Sequence, residues 1–112
     1  MKSRIKLIEF PVFSGYIVHV EITSDVSKSV LRYPQTKNIE DPTNAMAVHC
    51  KDENFSFIFL KYNMDVGSIA HESWHVVRRM MNRMDVDLDN ETVAYHLGYL
   101  TNEIFRFMRG KK

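Results

Sequence analysis

A short stretch at residues 68–77 constrains the fold and the chemistry of this chain more than any other part. It contains the pattern His-Glu-x-x-His, formed by His71, Glu72 and His75. On an α-helix, side chains four residues apart stand one turn above each other, so the two imidazoles can bind one metal ion. Glu72 reaches the same side, where a carboxylate can take a proton from water held by the metal. The stretch therefore predicts a helix that carries two metal ligands and a general base.

The residues around the motif divide this helix into an apolar and a polar face. At about 100° per residue, one broad arc of the helix is apolar. Its members are Ile69, Ala70, Trp74, Val76, Val77, Met80, Met81 and Met84. The rest of the circumference carries the two histidines, Ser68, Glu72, Arg79 and Asn82. A histidine that only filled the core would lie within the apolar arc, so we expect both imidazoles to face a polar site.

Length and composition predict one globular domain that spans residues 1–112. The chain has 45% hydrophobic and 26% charged residues, which is typical of soluble proteins. Its 15 basic and 14 acidic residues leave a net charge of +1, so we expect neither nucleic acid nor a membrane surface as a partner. We expect no export signal and find no apolar run long enough to span a bilayer. The single cysteine, Cys50, cannot form an internal disulfide, which favours a cytoplasmic protein.

Alternating and periodic patterns predict four strands and three helices. The strands are expected at residues 4–10, 15–23, 45–50 and 55–62. The helices are expected from residue 24 or 25 to about 33, from 65 or 68 to about 84, and from about 91 to 108. Residues 35–44 show no periodicity and predict a loop, and His19 is expected on the solvent side of its strand. This order predicts an α+β domain in which a small antiparallel sheet packs on the helices.

A third metal ligand is needed, because a catalytic zinc site normally has three protein ligands and one position for water. Glu91 lies near the start of the last predicted helix, and Ala94 and Gly98 follow on nearly the same side. These small residues would let the helix approach another one closely beneath the carboxylate. We therefore predict Glu91 as the third ligand. The alternative is a first-turn carboxylate that is stabilised by the helix dipole.

Other polar residues near the motif are candidates for catalysis or for positioning. Tyr95 or His96 can donate a hydrogen bond to a developing oxyanion, although His96 also fits a partly buried structural role. Asp87 or Asp89 can orient a ligand histidine through its second ring nitrogen. Arg79, one turn further along the motif face, either contacts substrate or is a solvated helix residue.

Taken together, these residues resemble the zincin metallopeptidases, and specifically the gluzincin-like group with its minimal and phage- or mobile-element-associated members. The resemblance spans roughly residues 44–102 and lies mainly in the His-Glu-x-x-His motif followed by Glu91. It implies a zincin-like core, Zn²⁺ as cofactor and a peptide or protein as substrate. It also implies an edge strand above the metal whose backbone pairs with an extended peptide. The residues of that strand are Asn44, Ala45, Met46 and Ala47.

The chain departs from related families at definite positions. Tyr95 stands where larger gluzincins often have an aspartate that supports a ligand histidine. Arg78 and Met81 stand where metzincins have a glycine and their third histidine. Peptide deformylases use a cysteine upstream of the motif, but their glycine-rich signature is missing here. A free buried thiol is therefore favoured for Cys50 over metal ligation.

The sequence predicts a zinc-dependent endopeptidase in which the two motif histidines and Glu91 hold the metal and Glu72 is the general base. The alternative is a catalytically weak or latent zincin-fold protein with a regulatory or interaction role. In that case the 35–44 loop or the C-terminal tail would cover the site, and Phe105 and Phe107 would belong to a homodimer surface. A third interpretation takes the histidines as surface residues on a structural helix.

Overall fold

The computed structural model describes residues 3–13, 15–33 and 44–110. The strands are β1 (Arg4–Glu9), β2 (Ile17–Thr23), β3 (Ala45–His49) and β4 (Phe55–Lys61). The helices are α1 (Val26–Leu31), α2 (Val66–Arg83) and α3 (Asn90–Met108). Every predicted strand and helix is present, and the α+β class is confirmed. The loop predicted at residues 35–44 lies outside the described residues except for Asn44.

The four strands form a mixed sheet with the order β1-β2-β4-β3. β1 with β2 and β3 with β4 are antiparallel pairs, whereas β2 and β4 are parallel. The predicted antiparallel sheet is therefore wrong at its central pair. A parallel pair needs a crossover of a dozen or more residues, and the chain between Thr23 and Phe55 provides it. β3 is left as an edge strand, and it contacts α2, the helix that carries the motif.

Helices cover both faces of the sheet. α2 and α3 pack on one face and form the main core with it. Members of the main core include Val18, Val20, Ile58, Leu60, Ile69, Val76, Val77, Met80, Met81, Leu100 and Ile104. α1 packs on the opposite face, where Val26 and Val30 join a second cluster that contains Val48, Phe57 and Phe59. Alternate side chains of the central strands are therefore buried on both sides of the sheet.

His19 lies inside the protein, and the prediction that it faces solvent is wrong. It is 9% exposed, because α1 covers the polar face of β2. The polar side chains on this face of β2 form hydrogen bonds and ion pairs with their neighbours. Glu21 is fully buried, accepts a hydrogen bond from the Tyr33 hydroxyl at 2.6 Å and pairs with Arg32 at 2.6 Å. Burial by itself would raise the pKa of Glu21, but its hydrogen bonds and the charge of Arg32 lower that pKa below its ordinary value.

Side chains at the helix ends determine where α2 and α3 begin and where α3 ends. Asp65 caps α2 and Asp89 caps α3, each by accepting a hydrogen bond from a backbone N–H three residues on, at 2.8 and 2.9 Å. Arg4 donates to the carbonyl of Met108 at 2.7 Å, at the C-terminal end of α3. Within the described part of the chain, no helix combines the length and the apolar character that crossing a membrane requires.

The aromatic residues near the end of α3 are partly buried. Phe105 and Phe107, the candidate dimer surface, pack against the main core. Each ring also has an arginine guanidinium above it. Arg109 lies 5.4 Å from the centroid of Phe105, and Arg4 lies 5.0 Å from that of Phe107. The contact of Arg4 with Phe107 joins the end of α3 to β1, whereas that of Arg109 with Phe105 lies within the end of α3.

Candidate metal centre

α2 presents the two motif histidines on its exposed side and buries the opposite side. The buried residues of α2 are Ile69, Ser73, Val76, Val77, Met80 and Met81. His71 and His75 are exposed, and Glu72 is half-buried. The predicted apolar arc therefore faces the core, although Ser73 takes the fully buried position that was expected of Trp74.

The ring nitrogens of His71 and His75 face each other across one helical turn. Their Nε2 atoms are 3.3 Å apart, and the rings are nearly perpendicular at 83°. Two zinc–imidazole bonds of about 2.0–2.1 Å at a tetrahedral angle place the two nitrogens about 3.3 Å apart. The pair therefore has the spacing that two ligands of one tetrahedral ion require, which is also the spacing of a hydrogen bond between the two rings.

Glu72 lies beside His71 at a cavity of about 440 Å³. Asn44 and Ala45, at the start of the edge strand, line the same cavity. The structure thus brings the predicted base and one predicted ligand next to two predicted substrate-binding residues. Packing between α2 and β3 holds the four residues together.

β3 offers backbone hydrogen-bonding groups along the free edge of the sheet. The carbonyl of Asn44 and the N–H of Cys50 both bond to residues at the ends of β4, at 2.8 and 3.1 Å. Backbone groups alternate between the two sides of a strand, so those of Met46 also face β4. The same alternation turns the backbone groups of Ala45 and Ala47 outward. A peptide could therefore pair with Ala45 and Ala47, whereas Asn44 and Met46 contribute to the sheet itself.

A second cavity, of about 600 Å³, lies next to His75. The polar residues that line it are His49, His75, Arg78, Arg79, Asn82, Asp85 and Asp87. His49 is a functional candidate that the sequence did not indicate, because it meets α2 only through tertiary packing. The available signal was strand alternation, which places His49 on the same face of β3 as Ala45 and Ala47, the face toward the main core.

Arg79 joins α2 to the end of β3. Its Nη2 donates to the carbonyl of Cys50 at 2.9 Å. Cys50 itself is a free buried thiol, and burial raises its pKa. Arg79 therefore holds the edge strand against the motif helix instead of extending fully into solvent.

Glu91 is exposed in the first turn of α3 and does not join the histidines. Within residues 3–13, 15–33 and 44–110, no three His, Cys, Asp or Glu side chains lie close enough to hold a metal ion together. His75 lies two turns, about 12 Å, before the end of α2. The connection that follows is held at the last turn of α2, because the N–H of Val86 donates to the carbonyl of Met81 at 2.9 Å. Only residues 87–89 remain between this anchored turn and α3. This segment is too short to bring Glu91 back to the level of His75, so Glu91 stays apart from the two histidines.

Tyr95 and His96 line neither of the two cavities that border the motif. Tyr95 is 55% exposed, whereas His96 is 2% exposed. The ring of His96 packs against Phe10 and Phe13, with centroids 5.6 and 5.0 Å away, and its Nδ1 lies 2.8 Å from the carbonyl of Thr92. This is the structural placement that the sequence offered as the alternative for His96.

The two aspartates considered for orienting a ligand histidine lie in different surroundings. Asp87 lines the larger cavity together with His75. Asp89 accepts hydrogen bonds from the N–H and the hydroxyl of Thr92, at 2.9 and 2.8 Å. These hydrogen bonds lower the pKa of Asp89. Asp87 is therefore the one of the two that lies near a motif histidine.

No protein-family model, curated protein or solved structure matches this chain. The functional assignment therefore rests on the geometry of α2, β3 and the two cavities between them. Within that geometry, the facing imidazoles are the most specific feature.

Proposed function

We propose that this protein is a zinc-dependent metallopeptidase with a zincin-like core. The observation that carries the proposal is the 3.3 Å separation of the Nε2 atoms of His71 and His75. Two imidazoles held this close on an exposed helix face can direct both lone pairs at one cation, which satisfies both nitrogens at once. Bound zinc would polarise the substrate carbonyl and lower the pKa of the attacking water.

Glu72 would act as the general base. Its position beside His71 and at the smaller cavity supports this role. The carboxylate would take a proton from the attacking water as the water oxygen bonds to the carbonyl carbon. It would then give that proton to the amine as the C–N bond breaks. A well-placed general base contributes about 10²- to 10⁴-fold to the rate.

The substrate would be an extended peptide that adds to the free edge of β3. Ala45 and Ala47 direct backbone groups outward, and their side chains pack against the main core. Because these side chains are small, α2 can lie close to the strand, and a peptide on the edge would pass the motif. Main-chain hydrogen bonds of this kind bind peptides with little dependence on sequence.

Glu91 remains the proposed third ligand on the basis of the family resemblance. Because the described structure keeps it apart from the histidines, the first turn of α3 would have to move toward α2 when zinc binds. Asp87, at the larger cavity with His75, is the rival donor by position.

The experiment that tests the proposal compares zinc content and peptide cleavage in Glu72→Gln. The amide keeps the shape of the carboxylate and cannot take the proton, so zinc should be retained and cleavage should fall by about 10²- to 10⁴-fold. Cleavage is measured with a peptide library that contains all residue types. Glu9→Gln, an exposed glutamate on β1, is the matched control and should cleave as the wild type does.

Zinc-bound Glu72→Gln that cleaves at the wild-type rate would show that Glu72 is not the base. A wild-type chain that contains no stoichiometric zinc and cleaves no peptide would favour the regulatory alternative.

A further inference from the structure

A chain of buried hydrogen bonds ends at His49, in the cavity that it shares with His75. The Tyr16 hydroxyl lies 2.5 Å from Ser56 Oγ, and Ser56 Oγ lies 2.9 Å from His49 Nδ1. Tyr16 and Ser56 are fully buried, while His49 is partly exposed where it lines the cavity. With Nδ1 turned inward to Ser56, the nitrogen left for the cavity is Nε2.

The charge of Arg79 near Tyr16 favours one direction for these hydrogen bonds. Arg79 acts electrostatically on the Tyr16 hydroxyl, and a guanidinium can only donate hydrogen bonds. This favours a Tyr16 oxygen that faces the guanidinium and a phenol proton that is directed at Ser56. The hydroxyl proton of Ser56 is then directed at His49 Nδ1. In this arrangement the single ring proton of a neutral His49 resides on Nε2.

The protonation states agree with this direction. Burial raises the pKa of Tyr16 and outweighs its hydrogen bond with Ser56 and the charge of Arg79, so the phenol keeps its proton. Burial, with the charges of Arg79 and His75, lowers the pKa of His49 to about 4, so the ring is neutral near pH 7. A neutral ring with Nδ1 occupied as an acceptor has one polar function left, which is to donate from Nε2.

We propose that His49 is a catalytic hydrogen-bond donor of the peptidase, whose Nε2–H binds the substrate carbonyl oxygen as negative charge develops on it. This inference rests on the proposed function. The donor is held by Ser56 and Tyr16 before substrate arrives, so it needs no reorganisation during the reaction. The same tautomer excludes His49 as a metal ligand, because its cavity-facing nitrogen carries a proton in place of a lone pair.

The first test determines the tautomer without any need for activity. Long-range ¹H–¹⁵N correlation spectra of histidine-labelled protein distinguish the two neutral forms, and they are recorded with and without zinc. The expected result is an Nε2–H tautomer for His49 in both samples and a mixture of tautomers in Ser56→Ala. An Nδ1–H tautomer in the wild type would overturn the inference.

The second test removes and restores the donor. His49→Leu should keep its zinc and lose about 10²-fold in kcat, with a much smaller change in KM. His49→Gln, whose amide N–H₂ can lie near the position of Nε2, should recover part of that loss. Circular dichroism verifies that each variant is folded. If the Leu variant fails to fold, His49→Gln carries the test and should have a lower kcat than the wild type. Ser56→Ala keeps the His49 ring and only mixes its tautomers, so it should lose less kcat than His49→Gln.

The outcomes separate the two proposals. An active wild type with unchanged kcat in His49→Leu overturns the role of His49 alone. Loss of zinc from His49→Leu also overturns it, because it would make His49 a ligand. A wild-type chain without cleavage overturns the proposed function and the catalytic role of His49 together, whatever tautomer the spectra show.

Discussion

Glu21 is the fully buried acidic side chain among the described residues, and its charge is held by its neighbours. Arg32 lies 2.6 Å from one carboxylate oxygen, and the Tyr33 hydroxyl lies 2.6 Å from the other. These contacts lower the pKa of Glu21 below its ordinary value of 4.5. Burial and the hydrogen bond to the charged Glu21 raise the pKa of Tyr33 to about 12. The ionised form of Glu21 is therefore favoured by folding and joins α1 to β2.

Glu21→Gln should lower the free energy of unfolding by about 2 kcal/mol at pH 7, because the ion pair and a charge-assisted hydrogen bond are lost. The lowered pKa makes this contribution complete above pH 4.5 and removes it as the pH falls through the folded-state pKa. The difference from the wild type should therefore shrink in acid. Urea unfolding at pH 7 and pH 3 measures it.

Glu103→Gln is the control for this comparison. Glu103 forms a surface pair with Arg106 at 3.5 Å, and its loss should cost less than about 0.5 kcal/mol. An equal loss for Glu21→Gln at both pH values would contradict the assignment of a buried, ionised carboxylate.

At the scale of elements, the pairing of α2 with the edge strand β3 brings the motif to a free row of backbone groups. Arg79 bonds the helix to the end of the strand at the carbonyl of Cys50. At the other end of the strand, Asn44 and Ala45 lie at the cavity of His71. Helix and strand therefore run side by side along the length of the motif.

Ala47→Pro tests whether substrate pairs with this edge. The N–H of Ala47 points away from β4, so proline removes a substrate contact and leaves the sheet intact. We expect KM to rise by about tenfold with little change in the unfolding midpoint, a loss of about 1.4 kcal/mol in binding. Met46→Pro is the matched control, since it removes a backbone hydrogen bond to β4 and should clearly lower the unfolding midpoint.

If Ala47→Pro unfolds the protein as severely as Met46→Pro, the register of the edge strand is wrong. If KM does not change in a folded Ala47→Pro, the peptide does not pair with β3.

The identity of the third metal ligand also belongs to this scale, because it depends on how closely α3 packs against α2 near the histidines. If Glu91 binds zinc, Glu91→Gln should weaken zinc affinity by more than about 100-fold, beyond what loss of an outer partner causes. Asp87→Asn should then change the affinity by less than about tenfold. Calorimetric zinc titrations of both variants measure this, and the reverse order would assign the ligand to Asp87.

At the scale of the whole molecule, local patterns predicted the elements better than their pairing. Helix caps and apolar periodicity placed α2 and α3, because Asp65, Asp89 and the apolar arc act within a few residues. The parallel pairing of β2 with β4 is not predicted, because α1 and β3 lie between them in the sequence and no local pattern specifies which strands pair. The burial of His19 is not predicted either, because no pattern near it in the sequence shows that α1 packs on its face of β2.

The residues of the candidate site also fall into two groups, those that a local sequence pattern predicts and those that only tertiary packing brings together. His71, Glu72 and His75 are neighbours on one helix, so their juxtaposition follows from helical geometry alone. His49 and Glu91 depend on how β3 and α3 pack against α2, and no local pattern specifies that packing. Tertiary contacts therefore added His49 to the site and kept Glu91 apart from it.

The central claim is that the facing imidazoles of His71 and His75 bind zinc, and zinc titration by calorimetry tests it most directly. We expect one zinc per wild-type chain, and an increase in the free energy of unfolding of about 2.7 kcal/mol when zinc reaches a hundredfold excess over its Kd. His71→Ala and His75→Ala should each abolish both effects, whereas Glu72→Gln and His49→Gln should retain them. A wild-type chain that binds no zinc, or alanine variants that bind it as tightly as the wild type, would contradict the account.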